Sequence, residues 1–171
     1  ALMGSFDEAF LELPPEVIIV SMKEHQRYFP VFDAEGGLAP RFVVVSNAVT
    51  EDFSKVIAGN ERVLRPRLSD ALFFYRNDLR RGLHTDGLEK IQFIDGLGTL
   101  ADKIERERNI ALRLTGIYMD RLEEESGRSA LEIERLMERA VTLAKADLLS
   151  EMVYEFTELQ GLMGYYYAKA L

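Results

Sequence analysis

The sequence predicts an α+β fold, a small antiparallel sheet followed by a bundle of helices. Three observations carry this. Before residue 50, a β-branched run and a paired-glycine turn mark strand-length segments. After residue 98, apolar residues return at helical spacing behind capping signals. Between the two lies a helix-patterned basic stretch, Lys55 to Arg81, in an acidic chain.

In chain order, Phe6 to Leu13 reads as a short helix or an irregular lead-in, closed by Pro14-Pro15. Glu16 to Met22 carries Val17, Ile18, Ile19 and Val20 and reads as a buried strand. Tyr28 to Phe32 and Arg41 to Ser46 read as two further strands. Between them, Asp33-Ala34-Glu35-Gly36-Gly37-Leu38 holds glycines that permit φ > 0, so the pair reads as a hairpin with a loop longer than two residues. Pro30 cannot donate to a ladder, which puts its strand at an edge or a bulge. Three strands make a marginal sheet alone. The N-terminal part therefore reads as the tail of a larger α+β domain, and the chain as a fragment.

From Lys55 to Arg81 stand seven basic residues (Lys55, Arg62, Arg65, Arg67, Arg76, Arg80, Arg81) and three acidic ones, a net of +4 in a chain of net charge −8. Val56, Ile57, Val63, Leu64, Leu68, Ala71, Leu72 and Tyr75 recur at helical spacing, which predicts one apolar face with arginines around it. Pro66 either begins that helix or kinks it. A basic helical ridge suits phosphates; a solvated face paired to acidic neighbours is the alternative.

Gly82 and Gly87 bracket a linker, Leu88 to Ile94 is short and ambiguous, and Gly96-Leu97-Gly98 breaks the pattern. Thr99 with Asp102 marks a helix start, and the helix is expected from Leu100 to Glu124, burying Leu100, Ile104, Ala111, Leu114, Tyr118 and Leu122. Ser129 and Glu132 form a capping box for the next helix, which is expected to bury Leu131, Leu136, Ala140, Leu143 and Ala144 and to reach as far as Leu149. Thr157 and Gln160 repeat the box pattern, so a last helix is expected near Glu158. Gly161 and Gly164 then lie on it, where each costs roughly 1 kcal/mol against alanine unless a neighbour packs close.

The 171 residues, 47% hydrophobic and 29% charged, suffice for one large domain or two small ones. No apolar run nears the roughly 20 residues that span a bilayer, and Ala1 to Phe10 lacks a secretory pattern. The absence of cysteine excludes disulfides and thiolate metal sites and fits the cytosol. The two histidines, His25 and His84, lie far apart, and neither has a helical metal-site partner, so no metal is expected. There is no Walker-type loop and no Gly-x-Ser-x-Gly elbow. Glu155 and Glu158 stand among apolar residues and read as buried bridging or capping groups rather than catalytic ones. Lys23 to Phe29 could read a base or ribose, or simply anchor the sheet through Tyr28 and Phe29.

Five stretches, in order, carry a resemblance. They are His25-Gln26-Arg27-Tyr28-Phe29; Gly59-Asn60-Glu61-Arg62-Val63-Leu64; Asp70-Ala71-x-Phe73-Phe74; Leu97-Gly98-Thr99 with Asp102-Lys103; and Lys145-Ala146-Asp147-Leu148 running into Met152-Val153-x-Glu155-Phe156-Thr157-Glu158-Leu159-Gln160-Gly161-x-Met163-Gly164-x-Tyr166. Together they resemble the beta subunit of the bacterial, tetrameric type of glycyl-tRNA synthetase.

The resemblance implies a cytoplasmic translation enzyme that joins glycine to tRNA(Gly) using ATP and Mg²⁺. In that family the alpha subunit holds the adenylate-forming site and the beta subunit binds and orients the tRNA. It implies that residues 1–54 end a domain similar to the B3/B4 module, that 55–87 form a basic connecting helix and linker, and that 88–171 begin a helical domain similar to the HD phosphohydrolase fold. This fragment is then expected to hold no cofactor and no ligase activity. Arg62, Arg65, Arg67, Arg76, Arg80, Arg81, His25 and Arg27 become candidate tRNA contacts. Asn60, Glu61, Asp147, Glu155, Glu158, Gln160, Gly161 and Gly164 become structural or subunit-interface candidates, with Glu61 and Arg62 pairing with each other or with a neighbour. Two departures stand out. Lys145-Ala146-Asp147 falls where a metal-binding His-Asp doublet would stand, and Pro66 stands where the family has alanine. A degenerate HD phosphohydrolase and a pure subunit-interface scaffold are the alternative functions.

Overall fold

A computed structural model describes residues 1–171, apart from the side chain of His25. The strands are β1 (Leu2–Ser5), β2 (Phe29–Phe32), β3 (Leu38–Val44), β4 (Gln92–Ile94) and β5 (Gly98–Thr99). The α-helices are α1 (Pro15–Gln26), α2 (Ser54–Arg81), α3 (Leu100–Ile117), α4 (Met119–Ser126), α5 (Ala130–Leu143), α6 (Glu151–Glu155) and α7 (Leu162–Ala170). Short 3₁₀ turns cover Glu8–Glu12, Leu88–Lys90, Ala146–Leu149 and Thr157–Leu159. The expected α+β class, an antiparallel sheet followed by helices, is what forms.

Three antiparallel strands stand in the order β1-β3-β2. The β2–β3 hairpin has the long loop expected, closed by the Asp33 carboxylate, which accepts from Gly37 N at 2.6 Å. Pro30 lies on an edge strand next to a register shift, as its missing donor requires. The third strand is β1, which pairs Leu2 to Ser5 with Val44 to Arg41. It replaces the strand expected at Glu16 to Met22, which is instead the middle of α1. Pro15 occupies the first turn of α1, where no N–H is needed. Val17, Ile18, Ser21 and Met22 are fully buried, a helical spacing whose tertiary burial outweighs the β-preference of the run. Arg27 ends α1 in the left-handed conformation (φ 56°), with Arg27 N and Tyr28 N bonded back to Lys23 O and Met22 O.

Helix α2 runs unbroken from Ser54 to Arg81, with Pro66 inside it rather than at its start. It buries Leu64, Leu68, Ala71 and Asp78, while Val63, assigned to the apolar face, is 49% exposed. The principal core joins Phe10, Val17, Met22 and Phe42 to Leu64 and Leu68 of α2 and to Met152, Phe156, Met163 and Tyr167 near the C-terminus. A second, smaller core holds Leu88, Leu100 and Ile104.

The capping boxes at Thr99/Asp102 and Ser129/Glu132 both form. The helix expected from Leu100 to Glu124 is two, broken at Tyr118 (φ −104°, ψ 12°), just after Gly116, a poor helix former. Thr115, not Leu114 or Tyr118, is the buried residue of that turn. On α5 the inward residue is Ile133, whereas Leu131, Leu136, Ala140 and Ala144 are exposed. The helix stops at Leu143, and Ala146–Leu149 is a 3₁₀ turn. The last helix starts at Leu162, not near Glu158: Thr157–Leu159 is a 3₁₀ turn, and Gly161 precedes α7 at φ 83° instead of lying on it.

Candidate functional site

The basic ridge of α2 divides in two. In its C-terminal half the arginines are engaged. Arg76 makes a two-pronged bond to Glu12, with Nε to Oε1 at 2.9 Å and Nη2 to Oε2 at 2.5 Å. That pairing holds the Glu12 carboxyl below its usual range and pushes the guanidinium of Arg76 up. Arg81 pairs with Glu151 at 3.2 Å. Arg80 bonds to Asn77 Oδ1 and to the carbonyl of Arg76, and Asn77 donates to Glu151 Oε2 at 3.1 Å. These side chains tie α2 to Glu12 on one side and to α6 on the other.

In the N-terminal half, Arg62 and Arg65 are exposed, one helical turn apart, and Arg67 is half-buried on another side of the helix. Among the described residues, none of the three guanidiniums has a hydrogen bond or an ion pair. Pro66 has no N–H, so the carbonyl of Arg62 lacks its helical donor.

The family-motif residues beside the ridge are joints. Glu61 does not pair with Arg62; its Oε1 accepts from Ser5 N at 2.8 Å and Ser5 Oγ at 3.0 Å, fixing β1 to α2. Asn60 accepts from the Tyr28 hydroxyl at 2.7 Å and donates to Val56 O at 2.7 Å. This ties the end of α1, where Arg27 stands exposed, to the N-terminal half of α2. Tyr28 stacks on Phe42, centroids 4.6 Å apart, so it anchors the sheet as one of its two readings expected. The His25 side chain lies outside the described residues.

Two buried carboxylates hold the C-terminal segment. Asp78 accepts from Glu151 N at 2.9 Å, Met152 N at 3.0 Å and the Tyr167 hydroxyl at 2.7 Å. Asp147 accepts from Gly161 N at 2.5 Å and Gly164 N at 3.3 Å. Each thereby satisfies N–H groups left free at a helix start, Asp78 at α6 and Asp147 at α7. Gly164 lies against Asp147, where a Cβ would make ordinary contact, 3.4 Å from its carboxyl carbon. Glu155, Glu158 and Gln160 are exposed; the 3₁₀ turn after α6 directs Phe156 and Leu159 inward in their place. Asp78 was not singled out by sequence: it looked like one acid among arginines, and its partners lie more than seventy residues away.

This buried region has no room for a nucleotide. The cavity lined by Asp78, His84, Ser150 and Tyr167 measures about 10 Å³, whereas small-molecule sites run to several hundred. Among the described residues no group of three His, Asp or Glu side chains could hold a metal ion, and no helix is long and apolar enough to cross a membrane.

The profile of the glycyl-tRNA synthetase beta subunit family matches residues 1–171. The chain is 56% identical to the glycine–tRNA ligase beta subunit of Helicobacter pylori (strain Shi470), over 98% of its own length and 24% of that subunit. It is 49% identical to the namesake of Coxiella burnetii (strain Dugway 5J108-111) and 46% identical to that of Desulforamulus reducens, each over 98% of this chain and 23% of the relative. It therefore spans about a quarter of the length of the relatives it matches. Over its whole length, the chain belongs to the glycyl-tRNA synthetase beta subunit family.

Proposed function

We propose that this chain is a non-catalytic part of a glycine–tRNA ligase beta subunit, binding and orienting tRNA(Gly) along the N-terminal half of α2. In this reading a cytoplasmic alpha subunit forms the adenylate from glycine and ATP with Mg²⁺, and the beta subunit presents the tRNA to it. The observation that supports it best is the pair Arg62 and Arg65: two exposed cations, one turn apart on a braced helix, with no carboxylate claiming either among the described residues. Farther along the same helix Arg76 and Arg81 are each paired with a carboxylate, whereas Arg62 and Arg65 keep their full charge toward solvent. Cations left unpaired on a rigid element suit a polyanion, whose bound counterions they release. The buried carboxylates lend the phosphohydrolase alternative no support, because Asp147 is committed to backbone amides.

Filter binding of tRNA(Gly) against salt, with this chain and its Arg62/Arg65/Arg67 triple alanine variant, tests the reading. The variant should bind more weakly, with a salt slope shallower by up to about 0.9 per lost contact. An unchanged slope would remove the ridge from tRNA recognition.

A further inference from the structure

The helices α3, α4 and α5 form a hairpin that covers little of its own apolar surface. Among the described residues α4 buries none and α5 buries only Ile133. Ile110, Leu114, Ile117 and Tyr118 fall at i, i+4, i+7 and i+8, one face of a helix, and are 59, 49, 72 and 54% exposed. Leu114 and Tyr118 of this face line the first of three neighbouring concavities, of about 470, 310 and 330 Å³, that together make a groove. The first two share Leu122 and Met137; the second and third share Arg128 and Leu136. The groove begins at Leu114, Tyr118 and Leu122, beside the self-paired Arg121 and Glu125, and ends among Arg128, Arg135 and Arg139. Among the described residues those three arginines have no side-chain hydrogen bond or ion pair. Glu132, which lines the same end, accepts from Ser129 N and Oγ at 3.0 and 2.7 Å and, after those bonds, feels the charges of Arg128 and Arg135, which help to hold its carboxyl below the usual range; it is one acid among three cations.

Contiguous bare surface of this kind marks an interaction site. Helix walls offer no free backbone N–H or C=O, so an added strand finds no ladder here, whereas a helix can seat its ridge in the groove. From this geometry we infer that the groove docks an amphipathic helix with an aliphatic stripe and with acidic residues at the end facing Arg128, Arg135 and Arg139. That helix comes from another part of the same polypeptide. The relatives' length favours this source, since this chain matches about a quarter of them and three quarters of such a subunit remain to supply the helix. The inference rests on family membership and is independent of the RNA-binding reading.

The chain has no cysteine, so single thiols report cleanly. Leu114→Cys and Leu136→Cys are placed in this 171-residue chain and in a complete subunit carrying it, cleared of other cysteines. Maleimide labelling is measured without RNA, each rate normalised to the same variant unfolded in guanidinium. Both sites should label at least tenfold more slowly in the complete subunit. Equal rates in the two forms overturn the proposal. Protection that appears only on adding the alpha subunit, or that is already present in the 171-residue chain and rises with its concentration, assigns the groove to another occupant and overturns it too. Arg135→Glu with Arg139→Glu should restore fast labelling at Leu136→Cys; unchanged protection sinks the acidic end of the match. Hydrogen exchange of α3 and α5 in the unsubstituted protein reads the same face should a variant fail to fold, and equal exchange in both lengths is again the overturning result.

Discussion

The Tyr167 hydroxyl donates to the Asp78 carboxylate at 2.7 Å, closing a contact between residues 89 positions apart. Asp78 lies on α2, between arginines that face outward, and alone among the acids of that stretch it is buried. The same carboxylate receives the first amides of α6. One side chain thus joins α2, α6 and α7, and the brace fixes the long helix whose other end carries Arg62 and Arg65.

Tyr167→Phe removes the hydroxyl but keeps the ring stacked on Tyr75, centroids 5.7 Å apart. A hydrogen bond to a charged group is worth about 1.5–3 kcal/mol, and the substitution should lower stability in urea unfolding by that amount. Asp78→Ala should cost more, since it leaves two amides and a phenol without their acceptor. If Tyr167→Phe unfolds at the wild-type urea midpoint, the Tyr167–Asp78 bond contributes nothing to stability.

Alkaline pH probes the same region. Burial pushes the Tyr167 phenol up, helped by its bond to Asp78; burial also raises Tyr75 and Tyr28; and the bond to Glu16 pushes Tyr166 up to about 12. A phenol raised in the native state contributes stability that is complete below its unfolded value of 10.0 and is lost as pH climbs through the native value. Stability should therefore be insensitive to these phenols below about pH 9 and fall above pH 10. Urea midpoints across pH 8–12, with absorbance at 295 nm following ionisation, give the curve. Tyr166→Phe and Tyr167→Phe should flatten it.

How much of this was legible in the sequence depended on how local each determinant is. Both capping boxes were readable because Thr99 with Asp102, and Ser129 with Glu132, interact three residues apart. The hairpin was readable from its glycines and the edge strand from Pro30. Val17 to Val20 misled because their helical state depends on burial against the main core, and β1 went unseen because its ladder partner lies some forty residues on. On α3 and α5 the inward face was misassigned, Leu114 and Tyr118 for Thr115, and Leu131 and Leu136 for Ile133. A repeating apolar pattern shows that a helix has a greasy side without showing which neighbour covers it. The motifs containing Asn60 and Glu61, and Asp147, were among those that carried the family resemblance, but the roles of these residues as joints came only with their distant partners, Tyr28, Ser5 and Gly161.

The two glycines before and within α7 should respond oppositely to alanine. Gly161 sits at φ 83°, where a Cβ is strained although no atom crowds it, so Gly161→Ala should cost about 1–2 kcal/mol. Gly164 has helical geometry, and an added Cβ would make ordinary contact with Asp147 at 3.4–3.6 Å. Gly164→Ala should be neutral or stabilising by up to about 1 kcal/mol, from helix propensity. Thermal unfolding of the two variants decides it, and equal losses would mean that Gly164 is required for closer packing than this.

The arginines of α2 should separate into those that stabilise and those that bind. Arg76 is half of an exposed ion pair with Glu12, both side chains about half in solvent, and such pairs contribute about 1 kcal/mol or less. Arg76→Ala should therefore shift the urea midpoint slightly, and the shift should shrink at high salt as the charges are screened. It should leave the salt slope of tRNA binding close to wild type, because that guanidinium is already neutralised by its partner. Arg62→Ala with Arg65→Ala should do the reverse. No hydrogen bond or ion pair of either guanidinium among the described residues is lost, so stability should stay within about 0.5 kcal/mol, while the slope of log affinity against log salt falls by up to about 0.9 for each phosphate contact removed. Measuring both quantities on both variants sets the two roles against each other. If the Arg76 variant lost the slope and the Arg62/Arg65 variant lost stability, the division of the ridge into a braced half and a free half would be wrong.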